Sequence, residues 1–148
     1  MPDLSTFVLC EKAIVARDYT ISLITLFQGI TLTPDFEIPE ASPTNPMGIA
    51  LPWTAYSVWR KEETDENKTF EQRLCVVTPD KIRLILSLVD FSITGYTHTT
   101  LVPLLAWPIA SVGVYEVILE IREKRKGSRF KKGGSSLINV HRGEISAE

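Results

Sequence analysis

The alternation of apolar and polar residues is clearest over 114–122. There Tyr115, Val117, Leu119 and Ile121 fall on one side, and Glu116, Ile118 and Glu120 on the other. A period of two over this length predicts a β-strand with one face in a core and the other largely in water. Comparable apolar runs recur along the whole chain, and no window sustains the i, i+3, i+4, i+7 spacing of an amphipathic helix. The pattern predicts an all-β fold.

Runs 6–16 and 21–33 are joined by Arg17-Asp18-Tyr19-Thr20, short enough for a hairpin, with Gly29 marking a bulge or bend. Residues 34–46 hold four prolines and few apolar side chains, which suits a crossover between sheets. Run 49–61 places Trp53, Ala55, Ser57 and Trp59 on one face and Tyr56 and Val58 on the other. The acidic stretch 62–68 reads as a solvated turn.

Runs 69–78 and 81–91 follow, split by Pro79-Asp80, and 91–97 with Gly95 reads as a reversal. Pro103 demotes run 99–107 to an edge or bulged strand, and Gly113 opens the 114–122 strand. A basic, glycine-containing hairpin or loop covers 122–134, 135–141 returns as a short strand, and 142–148 reads as a frayed tail. The expected architecture is one domain over 1–141, an antiparallel β-sandwich of seven or eight strands, with a small closed barrel as the alternative.

Composition fits this picture. With 148 residues, 44% hydrophobic and 23% charged, the chain is long enough for one core. No segment approaches the roughly 20 apolar residues that span a bilayer, which predicts no membrane partner. Met1-Pro2-Asp3-Leu4-Ser5 lacks the basic region of a secretory signal, so the expected location is the cytoplasm. Cys10 and Cys75 lie in apolar runs without Cys-x-x-Cys spacing and read as buried, reduced thiols.

Charge is unevenly divided. Residues 1–121 carry eight Lys or Arg against fifteen Asp or Glu, whereas 122–133 carry seven against one. The seven are Arg122, Lys124, Arg125, Lys126, Arg129, Lys131 and Lys132, with Phe130 among them. Such a run is commonly a solvated loop. Its density also suits contact with nucleic acid or another polyanion.

Other chemistry has weaker support. His98 and His141 have no Cys, Asp or Glu at zinc-motif spacing, and no Gly-x-Ser-x-Gly elbow occurs. Lys131-Lys132-Gly133-Gly134-Ser135-Ser136 lacks the spacing of a phosphate-binding loop. Trp53, Tyr56 and Trp59 would suit an aromatic contact surface if exposed, although a domain with 9% aromatic residues needs such rings in its core. These observations predict no cofactor, no metal and no catalysis.

The block Phe7-Val8-Leu9-Cys10-Glu11-Lys12-Ala13-Ile14-Val15 and the block Ser22-Leu23-Ile24-Thr25-Leu26-Phe27-Gln28-Gly29-Ile30 resemble the opening of a family of small uncharacterised bacterial β-sandwich domains. That family has a Cys followed by an acid in its first strand and a Ser-Leu-Ile triplet in its second, and Gly113-Val114-Tyr115 resembles its later Gly-x-Tyr strand. The resemblance covers about a third of the chain by motif. It implies a β-sandwich and carries over no catalytic residue. The 17–20 turn lacks the family's usual glycine, which leaves the turn type open, and the basic segment is longer than in the family.

The leading expectation is a non-enzymatic interaction module that binds another protein or a second copy of itself. An accessory protein contacting a polyanion through 122–132 is the alternative, and a small-molecule hydrolase or ligand binder with an unseen pocket is the third.

Overall fold

A computed structural model describes residues 1–40 and 42–144. The expected tail at 145–148 lies outside the described residues. Nine strands form: β1 (Asp3–Val15), β2 (Ile21–Leu26), β3 (Gly29–Leu32), β4 (Met47–Arg60), β5 (Phe70–Val77), β6 (Arg83–Phe91), β7 (Thr97–Ile109), β8 (Gly113–Glu123) and β9 (Lys131–Arg142). They make a four-stranded sheet ordered β2-β1-β4-β7 and a five-stranded sheet ordered β3-β9-β8-β5-β6. The sandwich expected from the alternation is present.

It has nine strands rather than seven or eight because the single apolar run 21–33 divides at Phe27-Gln28. Its first half joins one sheet as β2 and its second half joins the other as β3. The β3–β9 pair is parallel, so the sandwich is not wholly antiparallel. The proline-rich crossover then returns the chain from β3 to β4 in the first sheet, the 61–69 connection takes it to β5 in the second, 91–97 brings it back to β7, and 110–112 takes it to β8. Pro103 lies on β7, the outermost strand of the first sheet, where a missing N–H does not interrupt the sheet's interior.

The interior follows the expected parity. Tyr115, Val117, Leu119 and Ile121 from β8 are buried against Trp53, Ala55 and Trp59 from β4. Two ring clusters fill the sandwich. Phe27, Trp53, Trp107 and Tyr115 meet with centroids 5.3–6.0 Å apart at one end, and Trp59, Phe70, Phe91 and His98 with centroids 4.7–6.2 Å apart at the other. Gln72 crosses between the sheets: its Oε1 accepts from Trp59 Nε1 at 2.7 Å and from Ser57 Oγ at 3.1 Å. That satisfies three buried polar groups at once.

Three local expectations change. The outer face of β8 is wet only at its start: Val114 is exposed and Glu116 half-buried, but Ile118 and Glu120 are both buried. Asp65, in a short 3-10 turn at Glu63–Asp65, is buried instead of solvated. Its Oδ2 accepts the Glu62 amide at 2.9 Å, and its Oδ1 lies 2.9 Å from the Met1 amine. The last strand starts at Lys131 and runs through Arg142, so the residues expected to fray at 142–143 are tied down. Arg142 Nη1 donates to Phe36 O at 2.5 Å, and the Gly143 amide donates to Leu32 O at 2.7 Å.

Candidate functional site

The basic run forms the end of β8, a connecting turn and the start of β9, a hairpin rather than a loop. Strands β5, β6 and β8 supply carboxylates. Arg122 pairs with Glu71 at 2.6 Å, Lys124 with Asp90, Arg125 with Glu123 at 3.4 Å and Lys132 with Glu116 at 2.8 Å. Glu71, Asp90 and Glu116 lie outside the segment, so folding halves its excess of six positive charges to three. Lys126, Arg129 and Lys131 have no ion pair among the described residues.

Phe130 fixes the base of this hairpin. The guanidinium carbon of Arg73 lies 4.0 Å from its ring centroid and that of Arg122 4.3 Å. Both arginines therefore gain from the ring quadrupole while their charges are held by Glu120 and Glu71. Phe130 is thus engaged within the protein. Beside it opens a cleft of about 470 Å³ lined by Arg122, Lys124, Arg125, Lys126, Gly127, Ser128 and Glu71.

Gly133 and Gly134 serve packing. A Cβ on Gly133 would stand 2.6 Å from Trp59 Cη2, and one on Gly134 would stand 2.7 Å from Leu4 Cδ2. Removing the side chain at 133 is what lets the buried Trp59 ring reach the β9 backbone.

The aromatic candidates separate. Trp53 and Trp59 are buried with their indole N–H groups donating to Ala106 O and Gln72 Oε1, so neither can meet a partner. Alternation put them on one face, and that face is the core. Tyr56, on the opposite face, is half-buried on the outer side of the first sheet.

A polar cluster that sequence reasoning missed lies on the outer side of the second sheet. Glu120 accepts from Arg73 Nε and Nη2 at 3.3 and 3.2 Å, from Cys75 Sγ at 3.3 Å, and from Arg83. Burial by itself raises the Glu120 pKa, but hydrogen bonds from Arg73 and Cys75 with the charges of Arg73 and Arg83 outweigh it, leaving the group below the usual carboxylate value. Burial first, then the Glu120 hydrogen bond, pushes the Cys75 thiol up. A thiol so placed is a poor nucleophile. The signal for this cluster was the parity of β5, where Arg73 and Cys75 alternate with the buried Gln72, Leu74 and Val76, but their partner on β8 depends on register.

Burial lowers the pKa of His98, whose ring stacks on Phe91 at 4.7 Å. His141 meets Thr31 Oγ1 at 3.0 Å. No group of three or more His, Cys, Asp or Glu suited to a metal ion occurs among the described residues. No helix among the described residues is long and apolar enough to cross a membrane.

The other surface of note is the β1–β2 hairpin. β4 accompanies β1 only from Asp3 to Cys10, so beyond that point β1 pairs with β2 alone. The register sets Cys10, Lys12 and Ile14 opposite Leu26, Ile24 and Ser22 on one side of this ribbon. Ile14 is 42% exposed, Val15 51%, Tyr19 86%, Ile24 41% and Leu26 58%. In the connecting turn, the Tyr19 amide donates to Ala16 O at 2.9 Å and the Ala16 amide to Thr20 O at 2.8 Å. Tyr19 takes φ 64°, a left-handed position that glycine commonly fills. The turn type left open by the sequence is a three-residue loop closed by Tyr19.

The chain matches no family model, no curated protein and no solved structure, so any functional reading rests on its own residues.

Proposed function

We propose that this protein is a non-enzymatic interaction module that self-associates through the β1–β2 ribbon, with β2 of one copy pairing β2 of a second. One observation carries the reading: a two-stranded ribbon with five exposed large apolar side chains projects past the strand that should support it. An isolated two-stranded ribbon is marginal in water, so a third strand would stabilise it. β2 is an edge strand, Ile21-Ser22-Leu23-Ile24-Thr25-Leu26, with no charge and no proline; its one irregularity is Thr25 at φ 56°, next to its C-terminal end.

A second copy suits this edge better than a charged partner. The ribbon's outer stripe carries one charge, Lys12, and a two-fold-related copy offers the same uncharged strand. An antiparallel pairing that keeps both outer faces on one side sets Ile24 against Ile24 of the second copy and Ser22 against Leu26. Apolar side chains now in water then meet across the axis.

Support for a non-enzymatic role is chemical. The Cys75 thiol is buried with its pKa raised, and the His98 ring is occupied by Phe91. The one carboxylate beside Cys75, Glu120, is itself engaged by Arg73 and Arg83.

Sedimentation equilibrium tests the reading. The wild type is expected to sediment as a dimer at about 100 μM and to dissociate on dilution. Ile24→Lys is expected to be monomeric at the same concentration, with an unchanged far-ultraviolet spectrum. A monomeric wild type, or a dimer indifferent to Ile24→Lys, overturns it.

A further inference from the structure

We propose that the tip of the β8–β9 hairpin is a contact for the phosphate backbone of a nucleic acid, carried by Arg125, Lys126, Arg129 and Lys131. This inference is independent of self-association through the β1–β2 ribbon, and the structure narrows it from the seven basic residues of the segment to these four.

Folding sorts the cations. Arg122 is held by Glu71 and Phe130. Lys124 and Lys132 face Asp90 and Glu116 on other strands, in pairs that are largely exposed and therefore weaker but that draw on carboxylates from outside the segment. Lys126, Arg129 and Lys131 are exposed and have no ion pair among the described residues. Arg125 is exposed and has only the 3.4 Å pair with Glu123, two residues away. An exposed pair of this kind contributes little and yields readily to a competing anion.

The paired cations also matter, because they hold the free ones in place. The Arg73–Phe130–Arg122 stack and the Lys124 amide, which donates to Thr69 O at 2.8 Å, anchor both legs of the hairpin. Gly127 takes φ 81° at the turn and lines the cleft together with Arg125 and Lys126. Little ordering is then left for a ligand to impose.

The ligand class follows from competition. Single carboxylates are already supplied from within the chain, and residues 1–121 are net negative and repel an anion elsewhere on the surface. A chain of regularly spaced phosphates engages several exposed cations at once and releases counterions as it does so. Contacts of this type position a strand without reading its bases. The inference therefore includes weak sequence preference.

The test uses fluorescence anisotropy of a labelled single strand and a labelled duplex of about 20 nucleotides, each at low and rising salt. The wild type is expected to bind both, with a log–log salt slope on the single strand of about −2 to −3, as three to four phosphates require. Lys126→Ser, Arg129→Ser and Lys131→Ser combined should bind at least about tenfold more weakly at low salt and lose most of that slope. A control with Arg17→Ser, Arg60→Ser and Lys81→Ser removes as many charges and should bind as the wild type does. Unchanged thermal unfolding of both variants excludes misfolding.

Competitors identify the chemistry. Inorganic polyphosphate should displace the oligonucleotide, and polyglutamate of equal charge should displace it far less. Absence of binding at low salt, equal loss in the control variant, or equal competition by polyglutamate overturns the proposal.

Discussion

The two hairpins that leave the body of the sandwich are built on opposite principles. The β8–β9 hairpin is dense in charge and is held to the rest of the molecule by ion pairs, by Phe130 between two arginines and by Gly133 against Trp59. The β1–β2 ribbon holds apolar side chains on the surface and beyond Cys10 has no neighbouring strand besides its own partner. Charge is the more visible feature in the sequence, yet much of it is neutralised by folding. The apolar ribbon is inconspicuous in the sequence because its residues look like core, and only the end of the β1–β4 pairing shows that no strand among the described residues covers them.

The widest separation between the regions should appear on deleting one aliphatic side chain from each. Leu119→Ala on β8 is expected to cost about 2–5 kcal/mol by urea unfolding, because the residue is fully buried beneath the first sheet. Ile24→Ala, measured in dilute monomer, should cost less than about 0.5 kcal/mol. Comparable losses at the two sites would mean that the ribbon is packed as tightly as the core.

A smaller effect tests how the charged hairpin is anchored. Gly133→Ala places a methyl group into the space of the Trp59 ring, which is itself buried and hydrogen-bonded to Gln72. Such overpacking should cost about 1–3 kcal/mol. Gly127→Ala meets no atom within 4 Å but must hold φ 81°, so its loss comes from backbone strain alone. If Gly133→Ala costs less than about 0.5 kcal/mol, Trp59 has room to shift and the contact does not anchor the strand.

Acid separates the regions in another way. Glu120 is held below its ordinary pKa of 4.5 in the folded protein, so the unfolded chain takes up its proton first. The stability this group contributes is complete above pH 4.5 and is lost as pH falls below that value toward the folded pKa. Thermal unfolding between pH 6 and pH 3 should therefore fall less steeply in Glu120→Gln than in the wild type. Ribbon substitutions such as Ile24→Ala should leave that pH profile unchanged.

These contrasts explain what could be read in advance. Period-two alternation located the strand regions, and parity on β4 and β8 identified which side chains face the core, since burial on one face imposes that pattern. The division of 21–33 was not legible, because an apolar run has the same signature whether it stays in one sheet or crosses to another. The Glu120 cluster was hidden for a related reason: β5 and β8 meet through register, and local sequence does not encode which Arg lies beside which Glu. The seven basic residues were visible as a group, but their sorting into paired and free required the carboxylates of Glu71, Asp90 and Glu116 to be placed in space.

The smallest expected effect concerns the turn that closes the ribbon. Tyr19 holds φ 64° with its ring exposed, so the side chain contributes strain without compensating burial. A left-handed conformation costs a non-glycine residue about 1–2 kcal/mol, while glycine adopts it freely and pays instead through a more flexible unfolded chain. Tyr19→Gly should therefore gain no more than about 1 kcal/mol. Where that gain appears decides how the ribbon belongs to the molecule. If β1 and β2 unfold together with the sandwich, the urea midpoint rises. If the ribbon opens by itself, the global midpoint stays fixed and only the amides of Ala16 and Tyr19, with those of the β1–β2 ladder, exchange more slowly with deuterium. The second outcome is expected, because beyond Cys10 the ribbon shares no strand pairing with the rest of the fold. A rise in the global midpoint with unaltered exchange at those amides would show that the ribbon is an integral part of the sandwich and remove the contrast between the two hairpins.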